Sequence, residues 1–360
     1  MRGVYIHIPF CKNICSYCDF CKFLYNEDWA NTYLDFLNQE IQEYYEGDKV
    51  KSIYIGGGTP SSLSMSNLNK LFEIISHIRT IEDAEITFEC NINDITEELL
   101  KILKINNVNR LSIGVESFNK RNLSLMNRSH SKKEVFDKIN LCKKLGFNNI
   151  NVDLIYALPE ESLFTLKSDL NNMLKLGITH ISTYSLIIEE HTVLYNKNTK
   201  PIDELLDYKM YKYICKKLKK RGFHHYEVSN FSLNGYESKH NLIYWDNNEY
   251  YGFGLGAHGY INEMRYENTR NFNKYLRGKY RLNELLISTQ EEMENEIILG
   301  LRKLDGISIK EFNNRFKRNI FDVFKFEDAI KRKYVIVDGD KIYIPEDKIY
   351  VMNEIINMIL

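Results

Sequence analysis

The chain has 360 residues, 44% hydrophobic and 27% charged, which suits a globular protein with one large core and an appended domain. Lys and Arg number 48 against 49 Asp and Glu, so a formal charge of -1 excludes a global attraction to nucleic acid or anionic lipid. No stretch reaches the apolar length of a membrane span, and Met1-Arg2-Gly3 runs into the first strand without a secretory signal, which points to the cytoplasm.

Short apolar runs alternate with helical patterns along the first two thirds of the chain. The strand candidates are VYIHI (4–8), SIYIG (52–56), AEITFE (84–89), RLSIGV (110–115), NINVDLIY (149–156) and HISTYSLI (180–187). Between them, Trp29, Tyr33, Leu37, Ile41 and Tyr44 mark one helical face, and ITEELLKILK (95–104) and SLFTLKSDLNNMLKLG (162–177) continue the pattern. Six strand–helix units in order predict an α/β fold with a parallel sheet and right-handed crossovers, open or curled toward a barrel. KKLKKRG (216–222) reads as the solvated end of a helix before a glycine cap. These units define a first domain over 1–222, and an aromatic, glycine-containing extension follows over 223–282. Residues 283–360 give helices, the hairpin YVIVDGDKIYIP (334–345) with its Asp-Gly turn, and a closing helix, the pattern of a small α+β winged-helix-like domain.

Four of the seven cysteines fall within YIHIPFCKNICSYCDFCKF (5–23), directly after the first strand. In parallel α/β folds the reactive groups sit at the C-terminal ends of strands, so this loop occupies the reactive face. An odd cysteine count without an export signal argues for reducing surroundings and against a disulfide staple. Cys11, Cys15 and Cys18 stand as C-x3-C-x2-C, and no distant ligand pair with zinc spacing joins them. A cubane iron–sulfur cluster suits such closely spaced thiolates better, with zinc as the alternative. GGGTPS (56–61) ends the second strand with glycines that let backbone groups approach a ligand. Gly254-x-Gly256-x-x-Gly259 has the spacing of a dinucleotide fingerprint but opens no helix, so a Rossmann site is rejected.

The C-x3-C-x2-C loop resembles the signature of the radical S-adenosylmethionine (SAM) superfamily. YIHIPFC and CSYCDF narrow the resemblance to relatives of oxygen-independent coproporphyrinogen III oxidase and, among them, to a branch of heme chaperones; it extends over at least 5–260. The resemblance implies a partial (β/α)6 barrel in which Cys11, Cys15 and Cys18 hold a 4Fe–4S cluster. The fourth iron would take the amino and carboxylate groups of SAM and, once reduced, cleave it to a deoxyadenosyl radical. Gly57, Gly58 and Thr59 would meet the methionyl amino group, and Tyr5, Tyr17, Glu89, Glu116, Arg128, Asp153 and His258 match further SAM-contacting positions. Glu116 stands where the family pattern more often has glutamine, which keeps an acceptor, loses an amide donor and adds charge. Cys21 departs from the spacing of the oxidase branch and reads as a spare buried thiol.

HNLIYW (240–245) resembles the heme-binding motif of the chaperone branch. Imidazole is a common axial ligand of heme iron, and Tyr244 and Trp245 offer flat apolar surface for a porphyrin. His240 is therefore the expected ligand, with His224, His225 and His258 as rivals. This motif, a start close to the first strand and CDFC in place of the oxidase spacing favour a chaperone that binds heme and delivers it to apo-hemoproteins such as respiratory enzymes. Membrane contact would come only through those clients, and a homodimer is compatible. The alternative is the oxidase itself, decarboxylating two propionates by SAM radical chemistry.

Overall fold

The computed structural model describes all 360 residues, Met1–Leu360. Six strands form where the apolar runs predict them: β1 (Gly3–Ile8), β2 (Val50–Gly57), β3 (Thr80–Asn91), β4 (Arg110–Glu116), β5 (Asn149–Tyr156) and β6 (His180–Ser185). They pair in parallel in chain order. The main helices following these strands are α1 (Glu27–Tyr44), α2 (Met65–Ile75), α3 (Glu97–Ile105), α4 (Lys132–Lys144), α5 (Leu163–Leu174) and α6 (Glu204–Lys219). Each starts at a polar cap (Asn26, Ser64, Thr96, Ser131, Ser162 and Asp203 in turn) whose side chain accepts a hydrogen bond from a first-turn amide. The result is the expected partial (β/α)6 barrel.

Strand alternation decides what the barrel contains. In β4, Leu111, Ile113 and Val115 are fully buried, while Arg110, Ser112, Gly114 and Glu116 line the interior cavity. In β5, Ile150, Val152 and Leu154 are buried, and Asn151, Asp153 and Ile155 line the same cavity. Side chains alternate faces along a strand, so an apolar outer face under the helices comes with a largely polar inner face.

Residues 223–282 do not form a separate extension. β7 (His224–Glu227) and β8 (Asn230–Ser232) continue the sheet beyond β6, whereas β9 (Tyr250–Phe253) pairs in parallel with the other edge, at β1. β10 (His258–Ile261), β11 (Met264–Asn268) and β12 (Arg281–Leu286) follow antiparallel. The 12-stranded sheet thus runs β12-β11-β10-β9-β1-β2-β3-β4-β5-β6-β8-β7. A short helix, α7 (Lys239–Trp245), lies on the connection from one edge to the other and packs against β2. The stretch after Gly254 is the β10–β11 hairpin, and its glycines serve packing: a Cβ at Gly259 would stand 2.0 Å from the Tyr266 ring. The rejection of a Rossmann site agrees with that role.

The C-terminal unit begins later than 283, because Arg281–Leu286 belongs to the large sheet. It comprises α8 (Thr289–Gly300), α9 (Ile309–Phe316), α10 (Met352–Ile359) and a three-stranded sheet of Ile307–Ser308, Lys341–Tyr343 and Ile336–Asp338. Gly339 turns its hairpin with φ 57, as the Asp-Gly pair predicts. Leu304 and Val228 amides bond to Tyr226 and Arg302 carbonyls at 3.1 and 3.0 Å, so this unit is fastened to β7. One apolar core of 76 residues runs through both parts.

Glu40 on α1 ties the later strands to the barrel. Its fully buried carboxylate accepts from the Gly254 amide (2.8 Å), Tyr275 hydroxyl (2.6 Å) and Asn268 carboxamide (2.6 Å), with Arg281 at 3.6 Å. Replacing Glu40 with Ala strands these donors together. Urea unfolding is expected to show a loss of about 3–5 kcal/mol for Glu40→Ala and a smaller loss for Glu40→Gln.

Candidate functional site

The cysteine loop leaves β1 at its C-terminal end and closes over the barrel mouth. It is pinned from two sides: the Ser16 amide donates to the Met126 carbonyl (3.1 Å), and the Leu194 amide donates to the Ser16 carbonyl (3.1 Å). Asn127, in the left-handed region at φ 58, donates from its carboxamide to the Ile14 carbonyl at 2.8 Å. Cys11, Cys15 and Cys18 all line one cavity of about 510 Å³, whereas Cys21 does not and rests beside the Arg270 carbonyl at 3.8 Å. Cys21 is thus set apart from the other three thiols of the loop.

Cys11, Cys15 and Cys18 bring three free thiols from one short loop to a single cavity, a donor set that fits a cubane cluster. Burial pushes the Cys11 thiol up to about 11 and raises Cys18 as well. Such thiols ionise only against compensating positive charge, which the iron of a bound cluster would supply.

The glycine turn is built into the cysteine loop. Gly58 and Thr59 amides donate to the Ile8 and Phe10 carbonyls at 2.9 and 2.8 Å, and the Thr59 hydroxyl donates to Cys11 Sγ at 3.3 Å. A Cβ on Gly58 would stand 2.9 Å from the backbone of Ile8, Pro9 and Phe10, and one on Gly56 would stand 2.7 Å from the Glu89 carboxylate. These contacts, rather than a tight turn alone, demand glycine.

Four charged side chains face the turn across the cavity. Glu89 accepts from the Tyr54 hydroxyl (2.7 Å) and Gly57 amide (3.0 Å). Glu116 pairs with Arg128 at 2.9 Å and accepts from the Tyr17 hydroxyl at 3.2 Å. Burial pushes both carboxyls up to about 7, and it raises Asp153, which accepts from Asn151 at 2.8 Å. Glu116 holds φ 62 at a bulge in β4, a strained backbone that costs about 1–3 kcal/mol and aims its carboxylate at Arg128.

Two expected SAM contacts lie outside the cavity wall. Tyr5 stands beside Tyr54, its ring centre 6.1 Å away and its hydroxyl 2.9 Å from His7 Nδ1. His258 sits on β10 with its side chain 64% exposed, next to Glu267 at 3.9 Å, because the antiparallel hairpin turns it outward.

The residues of the heme motif are engaged within the protein. His240 is buried, its Nδ1 is 2.8 Å from Ser52 Oγ and its Nε2 is 2.7 Å from the Tyr244 hydroxyl. Neither nitrogen is open to iron, and burial lowers the imidazole to about 3. Tyr244 is committed to His240 and to the edge of Tyr250, and Trp245 has its indole nitrogen buried, with Arg302 over the ring. What α7 presents to the cavity is Asn241. Sequence reasoning missed Asn241 together with Tyr54, Arg110, Ser112, Asn151 and Ser182, the last four of which follow from the polar half of the strand alternation.

Comparison with known proteins agrees with this geometry. The radical SAM superfamily description matches residues 5–173, and the HemN C-terminal domain matches 287–346. The chain is 41% identical to the heme chaperone HemW of Lactococcus lactis, covering 96% of this chain and 93% of that protein. It is 40% identical to the heme chaperone HemW of Bacillus subtilis, covering 90% and 89%. The solved structure of coproporphyrinogen III oxidase (HemN) from Escherichia coli, a radical SAM enzyme, superposes with a TM-score of 0.88 at 21% identity, over 99% of this chain and 89% of that one, a likeness of fold. The chain belongs to the radical SAM superfamily and, within it, to the HemW family.

Two outcomes are expected from the site. Cys15→Ala should abolish bound iron and acid-labile sulfide after anaerobic reconstitution; full retention of both would contradict the ligand set. Glu89 binds a proton more tightly folded than unfolded, so its contribution to stability is present below about pH 4.5 and lost as pH rises through about 7. Urea midpoints should fall across that window, and Glu89→Gln should fall less.

Proposed function

We propose that the protein is a heme chaperone that binds heme and passes it to apo-hemoproteins, and that it carries a SAM-binding 4Fe–4S cluster. Cys11, Cys15 and Cys18 would hold the cluster, with Thr59 donating to the Cys11 sulfur. Gly57, Gly58 and Thr59 would cradle the methionyl end of SAM, and Tyr17, Glu89, Glu116, Arg128 and Asp153 would meet its remaining polar groups. When bound, such a cluster supplies the electron that cleaves SAM. The chain's own side chains position the ligand and shield it from water inside the barrel.

The observation that carries this reading is the 41% identity, over nearly the whole length of both chains, to a heme chaperone. Heme and client hemoproteins are its proposed partners. No helix is long and apolar enough to cross a membrane, which fits delivery to membrane enzymes by transient contact. His240 could take iron only by releasing Ser52 and Tyr244, so we assign it first to anchoring α7. His224 and His258 have exposed rings and require no such release.

Anaerobic heme titration of the cluster-reconstituted protein tests the proposal. Wild type should give a saturable shift in the visible spectrum. His240→Ala should keep the band position while losing stability; a moved or lost band would restore His240 as the ligand. No specific heme binding by wild type would overturn the chaperone reading. Decarboxylation of coproporphyrinogen III with SAM and reductant would then be the activity to assay.

A further inference from the structure

Two polar side chains at the base of the barrel line the cavity without making a hydrogen bond. Arg110 is only 2% exposed, and its guanidinium makes no hydrogen bond; its single ion-pair contact is Glu85 at 4.0 Å, and Nε is unpartnered. Glu85 is already engaged, accepting from the Lys239 and His240 amides at 3.1 Å each and from the Ser238 hydroxyl at 3.5 Å. Asn241 follows on the first turn of α7. Its amide donates to Ser238 Oγ at 3.3 Å, the residue lines the cavity, and its carboxamide makes no hydrogen bond.

A buried guanidinium without a hydrogen-bonded anion is costly, and although Glu89 and Asp153 feel its charge, the neighbouring acids are hydrogen-bonded elsewhere. Glu116 is matched by Arg128, Glu89 is held by Tyr54 and Gly57, and Asp153 is held by Asn151. The planar fork of arginine fits a carboxylate in two parallel bonds, and the carboxamide of Asn241 supplies a further donor. We infer that Arg110 and Asn241 form a carboxylate-binding subsite in the floor of the barrel. His240 and Glu85 are its positioning residues, since their bonds fix the rotation of α7 that turns Asn241 inward.

The carboxylate has two sources. If SAM chelates the cluster through its own carboxylate, a propionate of the porphyrin is the group left for the floor. Otherwise the SAM carboxylate itself reaches Arg110. Arg110→Lys keeps the charge and removes the fork, and Asn241→Asp keeps the shape and adds repulsion. Each variant, with cluster content and unfolding midpoint checked, would be titrated with SAM and decarboxylated SAM, and with heme and heme dimethyl ester.

The expected result is a loss of about tenfold or more for one carboxylate-bearing probe and little change for its carboxyl-free partner. The SAM pair or the heme pair then identifies the source. Equal affinities of both variants and wild type for all four probes would overturn the subsite. If Arg110→Lys fails to fold, Asn241→Asp decides alone. The SAM arm does not rest on the chaperone reading: wild type that binds no heme removes that reading and leaves the SAM comparison standing.

Discussion

Everything in this protein answers to one constraint: the interior of its barrel is polar, and every polar group there must be matched without help from bulk water. The parallel strands turn Tyr54, Glu89, Arg110, Ser112, Asn151, Asp153 and Ser182 inward. Most of them satisfy one another, as in the chain from Asp153 through Asn151 to His180 and Tyr226. Burial raises the carboxyls and lowers the His180 imidazole, so the wall carries less charge than its composition suggests. Among the cavity-lining side chains, Arg110 Nε and Arg128 Nε remain without a hydrogen-bond partner, while the three thiols of the cysteine loop lie at the mouth.

The sequence made much of this legible, and the reason is local. Runs such as RLSIGV and NINVDLIY are β-rich, short and separated by helices with clear caps, so the strands fall within a few residues of expectation. The cysteine loop and glycine turn could be placed because both directly follow strands. The polar half of the alternation carried further information: Arg110, Ser112 and Gly114 alternate with Leu111, Ile113 and Val115, a pattern that by itself marks an inner wall.

Long-range pairing was not legible. No local pattern says that His224–Glu227 joins one edge of the sheet and Tyr250–Phe253 the other, because register is set by contacts distant in sequence. That crossing places α7 against β2, buries His240, and turns the next residue toward the cavity. The motif offered His240 as a ligand, but nothing local shows that its two nitrogens bond to Ser52 and Tyr244. The placement of His258 was hidden for a related reason: an antiparallel hairpin sets its side chain on the outer surface.

The mouth shows how tightly cofactor binding and scaffold are joined. The Thr59 hydroxyl donates to Cys11 Sγ, and the Gly58 and Thr59 amides bond to the carbonyls of Ile8 and Phe10. A bulky side chain at Gly58 presses on that backbone, not on empty space. The residues expected to cradle SAM and those expected to hold the cluster thus move as one body. A perturbation of the glycine turn reaches the first cysteine through two hydrogen bonds, so SAM affinity and cluster retention cannot be varied independently there. The floor is different: Asn241 touches neither the cysteine loop nor the glycine turn, and changes at that end leave the cluster's support intact.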